Sequence, residues 1–326
     1  MKKILLTGII IAIISACSDD EGDQSIIPTK DVTLPGNARF ASAATAKEML
    51  TTEDQFTGSW SQFDIDARLQ ATQGTKQALL DHISAQALDW ATEEKDKITH
   101  VINHIHNSIL DQDLKVEFDY QIYFIKTTGD EEGGAAGYTR QNYIVLNDNV
   151  LSAPDDNLAQ LVSHELFHIM SRNDENFRND MYSIIGFEIA NSVPVPDQLK
   201  DLRMTNPDAP AWDSFITLSD NNGVTAEYLM ITYAKKSYDG GTFLSYLNVG
   251  FLRVKGSGDR EVDYVNGDPV IGVYADFTDF YEQVGNNTNY TIHPEEILAD
   301  NFALAILGAG SLPSRWVVDE IKLRLK

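Results

Sequence analysis

The segment Leu161-Val162-Ser163-His164-Glu165-Leu166-Phe167-His168-Ile169-Met170 carries the most specific chemistry in this chain. On a helix, His164 and His168 lie one turn apart on one face, so two imidazoles can meet one cation. Glu165, next to the first histidine, can reach a water at that cation and take its proton. This is the logic of H-E-x-x-H, two zinc ligands with a general base between them. The remaining positions are apolar, as a helix beneath a cleft requires. The plainer reading is a buried helix with two hydrogen-bonded histidines, and a third ligand decides against it.

A catalytic zinc takes three protein ligands and leaves a position open for water. Glu188 follows His168 after nineteen residues, but Ala190-Asn191-Ser192-Val193-Pro194-Val195-Pro196 ends any helix there, and no acid stands four positions later. Glu296 is remote in sequence but sits in His293-Pro294-Glu295-Glu296-Ile297-Leu298-Ala299-Asp300-Asn301-Phe302, where Pro294 suits a first helical position. Glu296 and Asp300 then fall one turn apart on one face. The first can bind zinc while the second orients a ligand histidine through its other ring nitrogen. Glu295 is a further alternative. Acids at a helix start are favoured by the dipole in any case, which accounts for the Glu295-Glu296 pair but not for Asp300.

With these two helices the chain resembles the gluzincins, zinc metallopeptidases of the thermolysin-like type, whose second helix carries Glu-x-x-x-Asp. The resemblance covers both helices and the strand before the first, about a quarter of the chain. It departs from thermolysin in the interval of about 127 residues between His168 and Glu296, whereas the nineteen before Glu188 match it. It implies a zincin-like fold and one Zn2+ per chain on His164, His168 and Glu296. Glu165 is then the base, Asp300 stands behind a ligand histidine, and the substrate is a peptide in extended conformation. In that family the strand before the metal helix belongs to a sheet whose edge pairs with substrate backbone, a role for Tyr143–Leu146. Gly134-Ala135-Ala136-Gly137-Tyr138-Thr139-Arg140 is part of that wall or a plain hairpin. The oxyanion donor in gluzincins is a Tyr, His or Arg from elsewhere; Tyr182, His293 and Tyr290 are available, with Tyr182 and His293 preferred.

Other polar features read as structure. His100 and His104 are also four apart, with His106 nearby, but no acid lies among them, so they mark a solvated helix face. Trp60, Trp90, Trp212 and Trp316 are scattered and read as core or groove residues.

The elements that must position the site follow from periodicity. Leu79, Leu80, Ile83, Ala87, Leu88, Ile98, Val101, Ile102 and Ile105 recur at helical spacing, interrupted near Thr92-Glu93-Glu94. That predicts two helices, with Thr92 capping the second. Residues 116–124 alternate and 142–146 are an apolar run, two strands joined through a loop at 129–134. Helices are expected at 158–171, 177–189, 224–236, 276–285, 294–307 and 316–325. Pro194, Pro196, Pro207 and Pro210 mark a loop-rich stretch. No internal repeat is visible. The fold class is α+β, a single catalytic unit over 41–326 with a small mixed or antiparallel sheet. Its parts are N-terminal helices (41–112), the sheet with the motif helix (113–190), and a mostly helical C-terminal part (191–326).

The start of the chain concerns location. Met1-Lys2-Lys3, an apolar run from Ile4 to Ile14 and small residues after it form a secretory signal over 1–16, too short for a permanent span. Ile14-Ser15-Ala16-Cys17 resembles the bacterial lipobox, which implies a lipidated Cys17 as first mature residue, followed by a flexible linker to residue 40. The several acyl chains of such lipoproteins anchor firmly where one would not. Ser18-Asp19-Asp20-Glu21 resembles the acidic tags of surface-exposed lipoproteins or is a solvated linker. The expected place is the bacterial cell envelope, outside the cytoplasm, on the periplasm-facing side or the cell surface.

Composition sets the outer bounds. Of 326 residues, 25 are Lys or Arg and 49 Asp or Glu, a net charge of −24 that deepens to −26 once Lys2 and Lys3 leave with the signal. Such acidity excludes nucleic acid as a partner. The membrane is met through lipid, not charge. A hydrophobic content of 43% excludes a disordered chain. A single cysteine, assigned to lipidation, leaves His and carboxylate as the metal ligands. The expected function is zinc-dependent peptide hydrolysis; the alternatives are a non-catalytic binding module or another zinc amide hydrolase acting on cell-wall peptide. An intact Glu165 favours hydrolysis.

Overall fold

A computed structural model describes residues 32–256 and 258–326; the signal segment, Cys17 and the acidic run after it lie outside the described residues. The helices are α1 (Leu34–Asn37), α2 (Ala43–Thr51), α3 (Gln55–Gly58), α4 (Gln62–Leu69), α5 (Lys76–Gln86), α6 (Thr92–Asp111), α7 (Asp155–Asn173), α8 (Glu175–Ile184), α9 (Phe280–Val284), α10 (Pro294–Ile306) and α11 (Arg315–Arg324). The first sheet holds β1 (Ala38–Phe40), β2 (Ala87–Leu88), β3 (Ile122–Thr127), β4 (Gly137–Arg140) and β5 (Tyr143–Asn147). The second holds β6 (Phe187–Ile189), β7 (Ser214–Ser219), β8 (Thr225–Tyr233), β9 (Asn248–Lys255) and β10 (Glu261–Val262). A ribbon of β11 (Tyr264–Val265) and β12 (Asp268–Pro269) precedes β13 (Ile271–Gly272), which pairs with β9. The architecture is mixed α+β.

β5 is buried at every position and lies between β3, parallel to it, and β4, antiparallel and at the edge. Side chains alternate across a strand. Phe124, Ile144 and Leu146 therefore join the main core with α6 and α7, while Ile125, Tyr143 and Val145 join a second cluster with α2 and α5. Helices thus cover both faces of the sheet. α7 is buried around most of its circumference, the mark of a helix running through a core. It packs against α10, whose Ile297, Leu298, Ala299 and Phe302 are fully buried.

Several local expectations are corrected. Residues 34–40 are not linker: Leu34 is buried, Thr33 Oγ1 accepts the Gly36 N–H (3.2 Å), and β1 pairs in parallel with β3. Leu114, Val116 and Phe118 alternate inward as predicted, but only 122–127 form a strand; the Phe118 N–H instead donates to the Val32 carbonyl. α6 is capped at Ala91, whose N–H donates to Glu94 (2.7 Å), with Thr92 inside the helix. α8 stops at Ile184, because Gly186 adopts φ +78° and turns the chain into β6. Residues 224–236 hold strand β8 in place of a helix, paired on both sides by β7 and β9, and 276–285 hold only the short α9. The part from 191 on is therefore not mostly helical. A six-stranded sheet occupies 187–272 and accounts for the long interval between the two site helices. Among the described residues no helix is long and apolar enough to cross a membrane.

Candidate metal centre

α7 begins after Pro154 with Asp155 and Asp156 in its first turn, where the helix dipole favours acid. α10 begins with Pro294 and is capped by His293, whose Nδ1 accepts the Glu295 N–H (3.1 Å). The two helices cross with Phe167 and Phe302 in contact, ring centroids 5.6 Å apart. That contact brings the histidines of α7 against the acids of α10.

Each histidine has its own carboxylate. His164 Nδ1 lies 2.8 Å from Asp300 Oδ1, and His168 Nδ1 lies 3.1 Å from Glu295 Oε1. Both Nε2 atoms turn instead to Glu296 Oε2, at 3.1 Å from His164 and 3.5 Å from His168. Zinc bonds of about 2.0–2.2 Å in a tetrahedron put ligand atoms roughly 3.3–3.6 Å apart; Glu296 Oε2 stands close to that spacing from both rings, and the three atoms lie within 4.8 Å of one another. His168 Nε2 is buried and makes no hydrogen bond. His164, His168 and Glu296 form a buried group that can hold a metal ion.

The carboxylates are themselves held. Glu295 Oε2 accepts from Tyr182 (2.6 Å) and Ser171 (2.9 Å), and Thr288 donates to Asp300 Oδ2. Asn206 Nδ2 donates to Glu296 Oε1 (2.5 Å), which leaves Oε2 for the histidines. Asp208 stands nearby, its Oδ1 accepting the Thr139 backbone N–H (2.6 Å) and hydroxyl (2.9 Å) at the β4 edge. Gly137 on the same strand sits tight against the site: a Cβ there would lie 3.0 Å from Glu165 Oε1 and 3.1 Å from the Val145 carbonyl oxygen.

Electrostatics favour a cation. Glu165, Asp208, Glu295, Glu296 and Asp300 surround two histidines, and buried acid in such excess is stable only when paired or metal-bound. Burial opposes a charge on His164, but Asp300 and Glu296 outweigh it and push the ring up to about 10. His168 is likewise raised against burial by Asp208, Glu296 and Glu295. Burial would raise Glu296, yet the two histidines hold it well below the usual carboxylate range. Positive charge between these rings is therefore strongly stabilised, and a divalent ion displaces the protons that otherwise supply it. Glu165 differs: burial and the neighbouring Asp208 push it up to about 8. One of its oxygens is buried without a hydrogen bond.

Other candidates are placed elsewhere. Glu188 is on β6, its side chain 69% exposed and paired with Arg260 (3.1 Å), so it is not a third ligand. Glu295 holds His168 by Nδ1 and stands behind the ligand set. Tyr182 is buried on Glu295 and His293 is occupied as a helix cap, and neither lines the cleft in front of Glu165. Tyr290 does line it, with its ring centroid 6.3 Å from that of His164. His100 and His104 lie on the exposed face of α6. The cleft encloses about 530 Å³ between Gly134–Gly137, the histidine face of α7, Leu244 and Tyr290. Sequence reasoning missed Asn206 and Asp208; flanking Pro207 in a proline-rich stretch, they carry turn chemistry and no metal spacing. Comparison with protein-family models, curated proteins and solved structures finds no match to this chain.

Proposed function

We propose that this protein is a zinc-dependent metallopeptidase of gluzincin type, cleaving extended peptides at the bacterial cell envelope, where a lipid on Cys17 tethers it. The observation that carries the reading is the pair of histidines, each oriented by its own carboxylate, converging with Glu296 beside an uncommitted Glu165 oxygen. A zinc ion held by His164, His168 and Glu296 would supply Lewis acidity, polarising a carbonyl and acidifying water.

The chain's own residues do the rest. An extended substrate lies along β4 and presents its carbonyl to the cleft. Glu165, with its proton affinity raised by burial and Asp208, takes a proton from the attacking water. As the C–N bond breaks, the same carboxyl returns that proton to the departing amine. The Tyr290 hydroxyl, kept protonated by desolvation within the cleft and by the charges of Glu296 and Asp208 although the residue is 46% exposed, is the donor we assign to the oxyanion. Asp300 and Glu295 keep both rings in the tautomer that points Nε2 inward.

The test is a peptide library digested by wild type and by Glu165→Gln. Cleavage by wild type alone supports hydrolysis. Equal profiles with zinc present in both proteins support a binding module instead. Products confined to cell-wall peptides would identify the other amide hydrolase.

A further inference from the structure

The described chain begins at Val32, whose carbonyl accepts the Phe118 N–H (2.9 Å). Helix α11 ends beside it, the Leu325 carbonyl accepting the Lys115 N–H (2.6 Å). Lys115 and Phe118 stand three residues apart, a span of at most about 11 Å. The point where the chain enters the fold and the last turn of α11 therefore share one end of the molecule.

α11 turns a distinct surface outward there. Val317, Val318, Ile321 and Leu325 are buried. At about 100° per residue, Trp316 and Leu323 fall together on the opposite side, where they are 42% and 65% exposed. The charge balance reverses around them. Residues 315–326 hold four cations, Arg315, Lys322, Arg324 and Lys326, against two acids, in a chain of 25 cations and 49 acids. Both acids are already paired, Asp319 with Arg315 (3.4 Å) and Glu320 with Arg324 (2.6 Å). An exposed tryptophan and leucine flanked by surplus cations match a bilayer surface, where the ring enters the interface and the cations meet phosphate.

Reach selects the same face. Cys17 precedes Val32 by fifteen residues, so that segment spans at most about 54 Å. A domain of about 290 residues has a radius of gyration near 19 Å, equivalent to a sphere of about 25 Å radius. A path from Val32 round the flank to a plane touching the far side is roughly 64 Å, more than the segment can cover. The surface next to Val32 needs no stretch at all. We infer that Trp316, Leu323 and the surrounding cations of α11 rest on an anionic phospholipid bilayer; the inference rests on the lipid tether proposed for Cys17. The rest of the chain is strongly acidic and is repelled by such a surface, so contact is confined to this end and orients the domain on the membrane.

The experiment is tryptophan fluorescence of the full-length lipoprotein in phosphatidylglycerol–phosphatidylethanolamine vesicles whose acyl chains carry bromine, a contact quencher. Of the other tryptophans, Trp90 and Trp212 are buried and Trp60 is half-buried. Bromine should therefore remove about a quarter of the emission, one tryptophan of four, and Trp316→Phe should abolish that loss. Leu323→Glu combined with Lys326→Glu should at least halve the quenching with the melting temperature unchanged, whereas Val265→Glu, on the β11 ribbon, should leave it as it is. No quenching in wild type, or quenching that survives Trp316→Phe, overturns the assignment while the tether stands. A dimer in detergent that Leu323→Glu dissolves gives the face to a second copy and overturns it too. If mass spectrometry finds no lipid on Cys17, the tether reading fails instead. The face is then judged on the unlipidated chain mixed with the same vesicles at low salt, where absence of quenching overturns it.

Discussion

The two helices that carry the candidate metal group are buried on nearly every side, whereas the segment between them forms a six-stranded sheet that sets one face on the same core and covers the other with a smaller cluster. The helices place ligands by rigid packing, and His164, His168 and Glu296 inherit the α7–α10 crossing. The intervening segment contributes by a loop at 203–208, fastened by polar contacts and by Met204, which packs in a small apolar cluster with Phe63, Ala67 and Phe243. Arg68 donates to Asp64, Glu132 and the Thr205 carbonyl (2.9 Å), and Asp64 accepts the Thr205 N–H (3.0 Å). Arg172 reaches the Asp208 carbonyl (3.1 Å) from α7. Ligand position therefore rests mainly on the helix crossing and cleft shape mainly on the loop, with the Asn206–Glu296 hydrogen bond as the link between them.

The largest effect should come from the loop's fastening. Arg68→Leu leaves Asp64 and Glu132 buried without their cation, which costs about 3–5 kcal/mol of stability by denaturant unfolding. Rigid helices should preserve the three ligands' arrangement in whatever fraction stays folded. On the helix side, Asp300→Asn and Glu295→Gln remove the orienting charge behind one histidine each. Each should weaken zinc binding about 10- to 100-fold in a competition assay against a chelator. If only one does so, the symmetry between the histidines is false. Asn206→Ala removes the loop's single hydrogen bond to Glu296; one bond to a charged group is worth about 1.5 kcal/mol at the low end, so zinc should bind roughly tenfold more weakly. Glu188→Ala, in the outer sheet, should leave zinc affinity unchanged.

What was legible in the sequence divides along the same line. Spacing of four puts His164 with His168 on one face of α7 and Glu296 with Asp300 on one face of α10, because a helix converts spacing into direction; that the two faces meet came from the gluzincin resemblance, with Glu295 and Glu188 still open as third ligand. The role of Glu295 was not legible, since adjacent positions point about a quarter-turn apart and only the crossing shows which meets which ring. β8 was read as helix because a strand buried along its middle and paired on both sides loses the alternation that marks half-buried strands, and Ala226, Glu227, Leu229 and Met230 are all good helix formers. Asn206 and Asp208 reach the site through a loop whose path is set by Arg68 and Arg172, contacts separated by many residues in sequence. No local pattern encodes them.

The proposed hydrolysis has Glu165 acting on water at a zinc held by His164, His168 and Glu296. Its most direct test is zinc content and peptide cleavage measured together on wild type and Glu165→Gln. One zinc per chain is expected in both proteins, with cleavage reduced about 10²- to 10⁴-fold in the variant. Wild type without zinc, or cleavage undiminished in Glu165→Gln, would contradict it.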